Sequence, residues 1–378
     1  GSAVVGGLNG VPAVVAGQNL FAALTLNAAG GLTVSGPLGG NTTNGAGFFV
    51  GFRGTGGGTG TLALGGGGTT GFLTLLNRTT TITAGPLNLT SDAVEASPPV
   101  QPTSQPGRFA VEVGGSLTQS AALTVAAGAV VNTSGTVAVA PVAGAAAGVT
   151  ATVLVRGTGL LSTGGRLFVG YAGAGALTVD QGGVVTAAVV QVARIRDAAG
   201  DVIVDGPGSR LSVPYNATVG NLSGQLGIGT QGVGTFTVRN GATAGGRIVI
   251  VGWTGMAVVG GSTVSTPGTG TLTVTGPGSV FTVDGTTVPT VTSQLVVGNG
   301  PSTGTPVSAG ALDVRAGGRV ELTTTPTDQV TGGNGNFFAA AGTRSTAAIT
   351  VDGRAPDDTP STLSVGRTFS LSGNGQPT

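Results

Sequence analysis

The sequence predicts an all-β fold, a parallel β-helix or β-solenoid with loop insertions, and three observations carry that prediction. First, one unit keeps returning. Residues 268–285 read GTGTLTVTGPGSVFTVDG: two short alternating strands, Leu272–Val274 and Val280–Val283, joined by a Gly-Pro-Gly turn. Variants stand at 32–40 (LTVSGPLGG), 153–159 (VLVRGTG), 202–209 (VIVDGPGS) and 348–353 (AITVDG). A unit repeated with Gly and Pro punctuation marks a repeat architecture. Second, 75 of the 378 residues are Gly, far above the usual ~7%, yet their spacing is too irregular for collagen. Third, β-branched residues and Gly dominate, and no ten-residue window carries a 3.6-residue apolar period, which argues against helix.

Taken in order, the first elements already alternate. Leu24-Thr25-Leu26, a Gly30-Gly31 turn and Leu32-Thr33-Val34 place apolar residues on one face and Thr on the other. Residues 48–51, 61–64, 72–76 and 81–90 continue the pattern. Residues 91–108 break it: Pro98, Pro99, Pro102 and Pro106 cannot donate to a sheet ladder, so this stretch is expected to leave the solenoid as an inserted loop. The apolar run Val137–Val149 reads as a buried rung. From residue 117 onward two steps recur. One is L-x-V-G, at 167–170 (LFVG), 226–229 (LGIG), 295–298 (LVVG) and 363–366 (LSVG). The other is G-x-[LF]-x-V, at 175–179, 234–238 and 310–314. Val155 to Val169, Val283 to Val297 and Val351 to Val365 are each fourteen residues apart, which suggests a common unit. The successive wider intervals Val155 to Val204, Val204 to Val274 and Val274 to Val351 are 49, 70 and 77, so insertions are expected, at 286–293, 299–309 and 323–336. The segment 193–199 (ARIRDAA) reads as one short turn or a charged strand. Rungs of roughly 20–25 residues would make about 15 rungs and a rod of roughly 70 Å at ~4.8 Å per rung. Residues 1–378 are thus expected to form one continuous solenoid. Its last unit reads as incomplete, so the C-terminal end is expected to be uncapped or truncated. The N-terminal GSAVVGGLNG has neither an initiator Met nor a basic signal-peptide region.

The missing residue types narrow the chemistry. There is no Cys, no His and no Lys; all fifteen basic residues are Arg. Disulfides, Cys/His zinc sites, Ser-His-Asp triads, thiol nucleophiles, Schiff bases and phosphate loops of the Walker type are excluded. A net charge of +1 with dispersed arginines gives no basis for nucleic-acid binding. No run of ~20 strongly apolar residues is present to span a membrane as a helix. Lack of Cys suits export through an oxidising compartment.

The run LTVTGPGSVFTVDG, followed by LVVGNG (295–300) and GALDVRAGGRV (310–320), resembles the β-strand repeats of bacterial autotransporter passengers and related large surface proteins. The resemblance covers most of the chain, best over about 150–320. It implies a single-stranded right-handed parallel β-helix at or beyond the outer surface of a Gram-negative bacterium. It also implies a role in adhesion, biofilm matrix or surface coats. Any C-terminal membrane barrel of that family would lie outside these residues.

Carboxylates are the chemistry left. Asp205, Asp284 and Asp352 share the step V-D-G, with Asp180 in a related V-D-Q-G-G. An aspartate ladder could bind calcium or, with paired carboxylates, cut glycans. The competing reading is that Asp-Gly is a favoured turn pair whose carboxylate bonds local amides. Arg194, Arg196, Asp197 and Asp201 are the densest charge cluster, read as surface ion pairs or an anionic-glycan patch. The expectation is a non-enzymatic extracellular structural protein, with no catalytic residue and no cofactor, that assembles with copies of itself into a filament or layer. An adhesin displaying loops to a glycan or host surface is the alternative, and a polysaccharide lyase or hydrolase the second alternative.

Overall fold

A computed structural model describes residues 22–24, 32–34, 38–39, 48–50, 61–64, 68–70, 73–75, 79–82, 86–89, 109–114, 117, 120–216, 223–259, 262–284, 293–301, 307–323, 335–341 and 344–371. Among them there is no helix. The strands form a parallel β-helix built from three ladders, each strand pairing in parallel with its counterpart in the next rung.

Ladder one is a sheet of eleven strands stacked in chain order, from Leu32–Val34 through Ala151–Arg156 and Thr269–Thr275 to Ser345–Asp352. Ladders two and three share a second sheet of 21 strands. They merge because the bend between them is shallow in some rungs. Leu160–Val169 runs through both: its first part pairs with Val130–Thr133, its last with Val137–Val139, and the register shifts between Thr163 and Arg166. One rung therefore reads ladder one, turn, ladder two, bend, ladder three, corner. At ~4.8 Å per step the ten steps of ladder one span about 48 Å. Among the described residues ladder one has eleven rungs where about fifteen were expected, because many rungs are longer than 20–25 residues.

The register corrects the spacing argument. Val155, Val179, Val204, Val238, Val274, Val314 and Val351 are successive partners in one inward column of ladder one. Rungs in this region thus measure 24, 25, 34, 36, 40 and 37 residues. The intervals of 49, 70 and 77 were each two rungs. The G-x-[LF]-x-V steps all fall on ladder one. Three L-x-V-G steps end ladder three, but LSVG at 363–366 lies on ladder two, where Leu363 pairs with Val320. The fourteen-residue spacing is likewise shared by positions that are not equivalent, since it can be set by either of two turns.

The alternation forecast from sequence is seen directly: Ala151–Arg156 and Thr269–Thr275 bury every second side chain. Inward Val, Leu, Ile, Ala and Phe make one continuous core along the helix axis. Phe236 on ladder one meets Phe281 on ladder two edge-to-face at 6.0 Å, and the small Ala244 paired with Phe281 in the register leaves room for it. A second cluster lies outside the lumen on ladder three, where Phe109, Phe168 and Tyr171 pack edge-on or tilted with centroids 5.1–6.4 Å apart. Val137–Val139 is a ladder-three strand as expected, but after Val142 the run to Val149 turns outward and is largely solvent-facing. The segment 193–199 is a turn that leads into the strand Ala199–Asp205.

Two recurrent devices hold the rungs in register. At the end of ladder three the chain turns through a left-handed residue in eight successive rungs: Gly114, Ala140, Gly170, Ala193, Gly229, Gly252, Gly298 and Ala340 all have positive φ. This is the Gly of L-x-V-G. At Gly229 a Cβ would stand 2.0 Å from the Thr269 carbonyl oxygen, and one on Gly234 would stand 2.3 Å from the Gly229 nitrogen. The two sequence steps are therefore halves of one interlock, in which backbones approach too closely for side chains. Between ladders one and two a hydroxyl bridges rungs. Ser209 Oγ accepts from the Gly182 amide of the rung below (3.0 Å) and donates to the Asp205 carbonyl of its own rung (2.6 Å). Ser279 and Ser361 repeat this with Gly241 and Gly317. That is the structural content of G-P-G-S.

The insertions fall at rung corners. The Pro-rich stretch 91–108 and most residues of the three later expected insertions lie outside the described residues. One excursion is described and was not foreseen. Gly255–Val259 and Ser262–Thr266 form an antiparallel hairpin between ladder three and the next ladder-one strand. The residues between them, Gly260-Gly261, are a hairpin turn pair by sequence.

Candidate functional site

The V-D-G aspartates do not occupy one structural position. Asp205 and Asp352 stand in the column that ends the ladder-one strands, but Asp284 ends a ladder-two strand and pairs with Thr323. The sequence step repeats because a strand followed by a turn occurs on more than one ladder. Asp205 and Asp352 are also four rungs apart, with Arg239, Thr275 and Arg315 between them. The structure does not bring these three residues together. No cluster of three or more potential metal-ligating carboxylates occurs among the described residues.

What the ladder-one column does contain is a pair of adjacent aspartates flanked by arginines. Reading up successive rungs it runs Arg156, Asp180, Asp205, Arg239. Arg156 binds the Asp180 carboxylate through Nε and Nη2 (3.3 and 3.0 Å), and Arg239 binds Asp205 through Nε and Nη2 (3.0 and 2.7 Å). Asn240 Nδ2 adds a third bond to Asp205 at 2.8 Å. Burial is the strongest single influence on Asp205 and opposes its ionisation. The bonds from Arg239 and Asn240 and the Arg239 charge together outweigh it and hold the carboxyl below its ordinary value. Stacking at ~4.8 Å would place Asp180 and Asp205 in repulsion, and the flanking arginines cancel it. In the charge cluster at 194–201, Arg196 pairs with Asp197 on the surface (3.5 Å) and Asp201 accepts from Thr235 of the next rung.

A concavity with converging polar groups lies elsewhere among the described residues, on the outer side of ladder two. Three consecutive rungs present Arg210 and Ser212, then Thr243 and Gly245, then Thr282 and Asp284. The groove encloses about 380 Å³, within the roughly 300–1,000 Å³ usual for small-molecule sites. Its origin is topological. In the middle rung the chain crosses from ladder two (Thr243–Gly246) to ladder three (Ile248–Trp253) through Arg247 alone. In the rungs on either side it takes a longer path, from Val213 to Gln225 and from Asp284 to Gln294. Gly245 contributes no side chain, because a Cβ there would stand 2.2 Å from the Thr282 carbonyl oxygen. The groove floor is therefore bare backbone.

Its polar wall is built around Arg247. This side chain is 3% exposed; its Nε and Nη2 donate to the Ser223 carbonyl (3.2 and 2.9 Å), and its guanidinium lies 5.1 Å from the Tyr215 ring centroid. Desolvation lowers its pKa, partly offset by Tyr215, and it stays a cation at any physiological pH. Asp284 accepts from Thr323 of the next rung at 3.3 Å. Arg210 differs: it is exposed, and its guanidinium has no partner among the described residues. Sequence reasoning missed Arg210, Tyr215 and Arg247. The one available signal was Gly245-Gly246-Arg247, a corner too short to hold an insertion between rungs that have them.

No family model matches the chain, and comparison with curated proteins and with solved structures gives no match either. The resemblance to autotransporter passengers rests on the repeat motifs. No helix among the described residues is long and apolar enough to cross a membrane.

Proposed function

We propose that this chain is a non-enzymatic structural protein, a β-solenoid that associates with copies of itself into an extracellular filament or layer on a Gram-negative cell surface or in its matrix. One observation carries the reading: the outer face of ladder one is a regular stack of strands rich in outward Thr, with most of its charges paired as Arg–Asp bridges. Thr124, Thr178, Thr237, Thr273 and Thr350 share one outward column with Leu154, Ile203 and Asp313, and the charges pair as Arg156–Asp180, Arg239–Asp205 and Arg315–Asp313. A repeating surface of Thr and aliphatic side chains at ~4.8 Å intervals, with its charges largely neutralised in pairs, offers lateral packing with little charge repulsion. The special residues of the sequence, left-handed corners and bridging hydroxyls, serve stacking. Export is supported by the absence of Cys and by the repeat resemblance.

Electron microscopy of native protein tests this. Regular filaments or sheets are expected for the natural sequence. Thr237→Lys with Thr273→Lys should give dispersed rods with an unchanged melting temperature, since both side chains point outward. Single rods of the natural sequence across a broad concentration range would defeat the proposal.

A further inference from the structure

We propose that the groove on ladder two binds a uronate unit of an acidic polysaccharide. The site asks for a ligand with one carboxylate and several hydroxyls. Arg210 offers an exposed guanidinium with no partner among the described residues, suited to bidentate capture of a carboxylate. Ser212, Thr243 and Thr282 line the same space with hydroxyls that both donate and accept. Asp284, at the far side, accepts hydrogen bonds from ligand hydroxyls and disfavours a dianion such as phosphate. Bare backbone at Gly245 lets a flat sugar ring lie against the strand. The polar groups span two rung steps, about 10 Å, so they address an extended chain lying along the helix axis. An acidic peptide would supply carboxylates without the vicinal hydroxyls that the three Ser and Thr side chains match. The groove belongs to a single chain, so it is independent of self-assembly.

The test is calorimetric titration of the full chain with tri-galacturonate, with maltotriose as neutral control and sodium sulfate as simple anion. Tri-galacturonate should bind, and maltotriose and sulfate should be at least tenfold weaker. Arg210→Gln should weaken tri-galacturonate binding by about tenfold or more, the usual cost of a lost charge-assisted bond. Asp284→Asn should also weaken it, because a hydroxyl acceptor loses strength. Arg210 is exposed, so its variant should melt at the natural temperature, which circular dichroism verifies. Absence of tri-galacturonate binding, equal binding by Arg210→Gln, or equal binding of sulfate would overturn the proposal. Tighter binding by Asp284→Asn would do so as well, since it would mark a simple anion site.

Discussion

Substituting Gly229 by alanine tests the interlock that gives the rungs their register. Two costs arise there. The residue has φ +65°, a left-handed conformation that costs an L side chain roughly 1–2 kcal/mol. The new methyl would also lie 2.0 Å from the Thr269 carbonyl oxygen, so one strand must shift, at roughly 1–3 kcal/mol for overpacking. Gly229→Ala should therefore lose about 2–5 kcal/mol of stability. Gly206 separates the two costs. Its φ is +84°, but a Cβ there meets nothing within 4 Å, so Gly206→Ala should lose only about 1–2 kcal/mol. Ala193 shows that the conformation itself is tolerated: it has φ 56° at the equivalent corner, with its methyl buried in the Phe168–Tyr171 cluster. The assay is urea unfolding followed by the fluorescence of the one tryptophan, Trp253, whose amide donates to the Gly229 carbonyl at 3.0 Å. Its midpoint should fall clearly further for Gly229→Ala than for Gly206→Ala. Equal losses would show that the backbone contact carries no stability and that the reasoning from close approach is wrong.

Two further outcomes follow from the rung-bridging groups. Ser209 is fully buried and serves both an amide and a carbonyl, so Ser209→Ala leaves buried polar groups unsatisfied and should cost about 1–3 kcal/mol, measured by the same unfolding. Asp205 ionises more readily folded than unfolded. Its contribution is therefore complete above its unfolded value of about 4 and is lost as pH falls through its lower folded value. The melting-temperature advantage of the natural protein over Asp205→Asn should shrink as pH falls below about 4, and an advantage that grew on acidification would contradict the assigned pairing. Because Arg239 is 43% exposed, the Arg239–Asp205 bridge should add no more than about 1 kcal/mol near neutral pH, readable from a double-mutant cycle with Arg239→Gln and Asp205→Asn.

The sequence by itself determined the fold class, because alternation with period two and glycine punctuation are local signals. Residues such as Leu272, Val274, Phe281 and Val283 could be assigned inward from their own neighbours. It also set the limits on chemistry, since a chain without His, Cys or Lys cannot hold the corresponding sites wherever it folds. Register was not legible. Val155 and Val204 looked like neighbouring repeats and are two rungs apart, because nothing in a short motif records how many turns intervene. For the same reason V-D-G at 284 and at 352 looked alike and lie on different ladders. Only the tertiary structure decided that Asp205 faces Arg239, thirty-four residues away, and not the other aspartates. Only it brought Arg210, Tyr215, Thr243, Arg247 and Asp284 around one groove. Those residues come from three rungs, and their proximity is set by stacking across the chain, an interaction with no trace in local sequence.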